Sequence, residues 1–130
     1  LALRGLGEVE RLGGEYDRAR QYYTQALTLA RQLGYRFGEI LALRGLGEVE
    51  RLVGDYRPAR DYHAQALTLA QDLGYRRAEA EALRGLGHVA ADTSENGQAC
   101  ELWRRALEIY DDLGVPLTEP VRAAMDHLGC

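Results

Sequence analysis

The chain has 130 residues, 46% hydrophobic and 28% charged, a composition that fits one folded domain and excludes a disordered segment. All 16 basic residues are Arg, against 20 acidic residues, for a net charge of −4. A nucleic-acid-binding segment would carry a basic excess, so nucleic acid is not the expected partner, and no run is long and apolar enough to predict a membrane span.

Residues 1–12 read LALRGLGEVERL, and residues 41–52 repeat them without change. Residues 1–40 and 41–80 agree at 28 of 40 positions, and a diverged third copy opens at Glu81 with EALRGLGHVA. A fixed period of this size predicts a stacked-repeat protein, in which each unit packs only on its neighbours and a long surface is presented for binding. The expected units are 1–40, 41–80 and 81–115, followed by a capping helix over 117–128. The chain opens in mid-repeat without Met, so a fragment of a longer protein is expected. Residues 1–80 are nearly neutral, with 12 Arg and 11 acids, while residues 81–130 carry 4 Arg and 9 acids.

Each unit divides into two helices of roughly 17–18 residues, about 26 Å long. In the first helix of unit two, Leu43, Leu46, Gly47, Val49 and Val53 recur mainly at spacings of three and four, which predicts an amphipathic helix. Gly54-Asp55 breaks it, Asp55 is placed to cap the next helix, and Pro58 falls in that helix's first turn. Tyr56, Ala59, His63, Ala66, Leu67, Ala70 and Leu73 form the apolar arc of the second helix, and Gly74 is a predicted left-handed C-cap. Unit one has the same punctuation at Gly13-Gly14 and Gly34. In unit three the turn reads DTSENG, the second helix runs to Leu113, and Gly114 ends it. Thr118 is the predicted N-cap of the last helix, with Val121, Ala124, Met125 and Leu128 on one face.

Leu3, Leu6-Gly7, Gly14-Glu15-Tyr16, Ala19, Tyr23 and Ala26 resemble the pattern of tetratricopeptide repeats. So do Leu43, Leu46-Gly47, Gly54-Asp55-Tyr56, Ala59, His63 and Ala66, and then Leu83, Leu86-Gly87, Ala99, Trp103 and Ala106. In unit three Ser94 and Asn96 replace the Gly and Tyr. The resemblance implies an all-α fold, a right-handed α-α superhelix of three helix-turn-helix repeats plus a C-terminal cap. It implies protein–protein interaction as the function. The 40-residue period is longer than the family's usual 34. It resembles two groups: the repeat arrays of bacterial nucleotide-binding regulators of antibiotic production, actinobacterial ones above all given the missing Lys, and long-repeat scaffolds that bind peptides.

The family's groove positions fall on Arg4, Glu8 and Arg11, on Arg44, Glu48 and Arg51, and on Arg84, His88 and Ala91. Stacking would set Arg4, Arg44 and Arg84 in a ladder suited to an acidic or carboxylate-bearing peptide, because the guanidinium fork binds carboxylate bidentately. The competing reading is a solvated face in which Arg4 pairs with Glu8 and Arg44 with Glu48 four residues on. His88 replaces the Glu in unit three, so the Arg84/His88 end is the expected anion site. The family's carboxylate clamp has Asn where this chain has Glu8 and Glu48, and that clamp is not expected. Phe37 is expected as an apolar anchor at the groove edge, with Arg77 its counterpart one unit later.

Tyr16, Tyr22, Tyr23, Tyr56, Tyr62 and Trp103 fall on packing positions and are expected in the core. His63, His88 and His127 show no metal-ligand spacing, the one serine has no base beside it, and no phosphate loop is present, so neither enzyme nor cofactor is expected. The two cysteines form no CxxC pair and no disulfide framework. Cys100 is expected as a buried inert thiol and Cys130 as an exposed one, in a reducing cytoplasm. Two rival functions remain: self-association of two copies through the uncovered N-terminal end, where Leu1 and Leu12 lack a neighbour, and sensing of a peptide or small ligand.

Overall fold

In the computed structural model, which describes residues 6–7, 14–116 and 119–130, the chain forms six helices besides the helical pair Leu6-Gly7. They are α1 (Tyr16–Leu33), α2 (Arg36–Leu52), α3 (Tyr56–Leu73), α4 (Arg76–Asp92), α5 (Asn96–Leu113) and α6 (Glu119–Leu128). Helices α1 to α5 are 17 or 18 residues each, as the period requires. Each packs on the next, and α2 also touches α4, the arrangement of an α-α solenoid. Arg4, Glu8, Arg11, Leu1, Leu12 and Thr118 lie outside the described residues.

The duplicated RGLG motif explains how the units stack. Tyr23, His63 and Trp103 occupy the same place in the second helices of the three units, and all three are buried. A Cβ on Gly47 would come within 2.7 Å of the His63 ring, and one on Gly85 within 2.5 Å of its other side. His63 is therefore wedged between the first helix of its own unit and that of the next. Tyr23 sits in the same way between Gly7 and Gly45, and Trp103 against Gly87. The glycines remove side chains where a ring must pass, so close helix packing is encoded twice in each motif.

The turns follow the expected punctuation with two differences. Gly34, Gly74 and Gly114 are left-handed C-caps at φ 66°, 72° and 65°. Gly14 and Gly54 are also left-handed, and in unit three Ser94 takes the same conformation at φ 63°, a strained one for a residue with a Cβ. Asp55 stands at the N-cap of α3, but its side chain makes no capping hydrogen bond; its backbone carbonyl accepts from the Ala59 N–H at 3.2 Å instead. Val53 lies beyond α2 and is exposed rather than on the buried face.

The cysteines correct the expectation of two separate thiols. Cys100, half-buried in α5, and Cys130, exposed at the chain's end, form a disulfide with Cα atoms 5.7 Å apart. Thirty residues of separation hid the pair, because only the return of α6 along α5 brings the two together.

Candidate functional site

The first helices of units two and three wall an open cavity of about 650 Å³. Phe37, Arg44, Glu48 and Arg51 enter it from α2, and Arg77, Glu81, Arg84 and His88 from α4. His63 of α3 forms part of its floor, and Pro120 and Val121 of α6 close one end. Seven residues singled out from sequence thus meet in one place: Phe37, Arg44, Glu48, Arg51, Arg77, Arg84 and His88. Those of unit one lie outside the described residues.

The ion pair of Arg44 differs from the intrahelical expectation. Arg44 pairs with Glu81 of the next unit, not with Glu48. Glu81 also forms an ion pair with Arg77 at 3.5 Å. Glu48 is instead held by Arg51 through hydrogen bonds of 2.6 and 3.1 Å, and Arg51 reaches Asp92 of α4 at 2.9 Å. Burial pushes the Glu48 carboxyl up, but the hydrogen bond and charge of Arg51 outweigh it and hold it below the usual carboxylate range. The hydrogen bonds that Arg51 donates to Glu48, against an opposing effect of burial, raise Arg51 and fix it as a cation. The Arg44–Glu81 pair is invisible to spacing within one helix, because Arg44 belongs to the preceding unit.

Arg84 differs from Arg44 in that it makes no ion pair with any described residue. Its backbone carbonyl accepts the Trp103 indole N–H at 3.3 Å, which anchors the helix at that point. His88 does not stand as a second cation beside it. Its ring packs edge-on against Trp103 with centroids 5.4 Å apart, and burial, then the Arg51 charge, hold its pKa below the ordinary value. His63 is 3% exposed, neither of its ring nitrogens has a hydrogen-bond partner among the described residues, and burial pushes it down to about 4. It is a neutral donor and acceptor at neutral pH. The cavity therefore carries four Arg against two Glu, with the uncompensated charge at Arg84.

Phe37 is 40% exposed at the rim, between the rings of Tyr35 at 6.5 Å and Tyr75 at 5.8 Å. Leu33 and Leu73, at the ends of α1 and α3, are exposed as well. Tyr23 and Trp103 are buried and Tyr16, Tyr22, Tyr56 and Tyr62 half-buried, as core positions would be. Sequence reasoning also passed over Glu50, which is buried and clasped by Arg20 across units at 2.7 and 2.9 Å. Its signal was an acid on the apolar stripe of α2.

Among the described residues no group of three or more His, Cys, Asp or Glu could hold a metal, and no helix is long and apolar enough to cross a membrane. The fold and site together define a helical repeat scaffold with an open, charged face. Residues 1–72 match the tetratricopeptide repeat family, and the chain belongs to it. Repeats of this family serve protein–protein interaction. Among solved structures, the crystal structure of BtubC (BKLC) from P. vanneervenii is similar, with a TM-score of 0.72 at 17% identity. The alignment covers 97% of this chain and 60% of that one, so the chain spans about three-fifths of that protein's length, and the likeness concerns the fold. No curated protein matches the sequence.

Proposed function

We propose that the cavity between α2 and α4 accepts an acidic segment of a partner protein, with the carboxylates directed to Arg84 and an apolar side chain against Phe37. The observation that carries this reading is the charge imbalance of the cavity, concentrated at a guanidinium without an acid among the described residues. Arg44 and Arg51 contribute less, because Glu81, Glu48 and Asp92 already occupy their hydrogen-bonding edges.

In the larger setting, this chain is read as the sensing or regulatory arm of a cytoplasmic bacterial regulator, the resemblance to antibiotic-control proteins and the all-Arg composition supporting an actinobacterial source. Partner binding in the groove would then control the attached domains. Titration with a glutamate-rich peptide tests the groove. Binding that weakens with salt and is lost in the Arg44→Ala plus Arg84→Ala double variant supports it, and binding unchanged in that variant refutes it.

A further inference from the structure

Helix α6 is unlike the five before it. It is 10 residues long, and it rests on α5 over a far smaller contact than any earlier pair of neighbours shares. Val121 is fully buried, while Ala124, Met125 and Leu128 are only half-covered against the α5 cluster. The ion pair of α6 with α5, Arg122 to Asp111 at 3.4 Å, is exposed on both sides and adds little. The strongest tie is covalent, the disulfide from Cys130 just past the end of α6 to Cys100 near the start of α5.

The same helix closes the groove. Pro120 and Val121 stand in the cavity wall beside Arg84 and His88. In the 40-residue register Val121 falls where Glu81 and Leu41 fall in the two preceding units, and Ala124 where Arg84 and Arg44 fall. Helix α6 thus occupies the position through which the groove would continue, and it brings an apolar wall with no charged ladder.

We propose that the Cys100–Cys130 bond is a redox latch that holds α6 across the Arg84 end of the groove, and that its reduction frees the helix and widens access for the acidic partner. This regulation rests on the groove reading above. The reductant is a dithiol protein or small dithiol. Its thiolate attacks the exposed Cys130 sulfur, the S–S bond breaks, and Cys100 leaves as a thiolate that takes up a proton. The second thiol of the reductant then attacks the mixed disulfide and releases Cys130 as a thiol. The chain gains two electrons and two protons, and the dithiol becomes a disulfide. In a reducing cytoplasm a disulfide is a transient, sensing bond, so the latch is open at rest and closes under oxidation. None of the contacts among α1 to α4 involves either cysteine, so the rest of the scaffold keeps its packing when the latch opens.

The test follows amide hydrogen exchange in residues 119–128 and titrates the glutamate-rich peptide in parallel, on the oxidised chain, the dithiothreitol-reduced chain and Cys130→Ser. Reduction is expected to speed exchange in α6 by at least about tenfold, leave α2 and α3 protected, and tighten peptide binding by about tenfold. Cys130→Ser is expected to match the reduced chain and to ignore dithiothreitol. Unchanged exchange in α6 on reduction overturns the latch. Faster exchange with unchanged peptide affinity overturns the occlusion while leaving the groove reading intact. A peptide that binds neither form overturns the groove reading itself, and the proposed regulation with it.

Discussion

Units two and three share a backbone plan and differ on the groove. On α2 every charge is answered: Arg44 by Glu81, and Arg51 by Glu48 and Asp92. On α4 the equivalent positions hold Arg84 without an acid among the described residues, and His88, a neutral ring laid against Trp103. The packing side of the motif was copied faithfully because the stacking rings need their glycines. The solvent side was free to diverge, and it diverged where the groove ends. The packing residues and the groove charges thus occupy opposite faces of the same few turns.

The comparison can be broken most severely at Trp103, the ring beneath Arg84 and His88. Trp103→Ala is expected to cost about 3–5 kcal/mol in chemical denaturation, as a buried aromatic truncation does, and to release His88 from its edge contact. A loss below about 1 kcal/mol would show that unit three is not held by this ring.

His63 sharpens the contrast in a different way, since it is the polar member of the Tyr23, His63, Trp103 series. Its pKa is depressed from 6.5 to about 4 in the folded chain. Its neutral form therefore contributes stability that is complete above about pH 6.5 and is lost as the pH falls toward about 4. That difference corresponds to about 3 kcal/mol. His63→Phe, whose ring fits a slot that holds Tyr23 one unit earlier, is expected to remove this part of the acid sensitivity. Paired denaturation curves at several pH values check it, and parallel pH profiles for the two proteins would contradict it.

The turn of unit three offers the smallest effect. Ser94 holds the left-handed conformation that Gly14 and Gly54 hold in the other units. Ser94→Gly is expected to stabilise the chain by about 1 kcal/mol. A fall in thermal midpoint would mean that the Ser94 side chain contributes more than its strain costs.

Much of this architecture was legible in the repeat. The glycine and leucine positions announced helix lengths, turns and stacking because those depend on local spacing. The site was legible only in part. Phe37, Arg44, Arg77 and Arg84 share a face that helical periodicity reveals, so their meeting in one cavity could be expected. The ion pair of Arg44 could not, because it takes its acid from the next unit and intrahelical rules see only Glu48, whereas Arg77 and Glu81, four apart on one helix, obey those rules. The disulfide was hidden for the same reason: Cys100 and Cys130 become neighbours through a chain reversal that no sequence spacing records.

The central claim is that Arg84, and not its copy Arg44, is the cation held ready for an acidic partner. Isothermal titration of the glutamate-rich peptide against Arg84→Ala and Arg44→Ala, both in the reduced chain, tests it most directly. Loss of about tenfold or more in affinity for Arg84→Ala, with a clearly smaller loss for Arg44→Ala, is the expected result. Equal affinities for the two variants, or a greater loss at Arg44, would contradict the account.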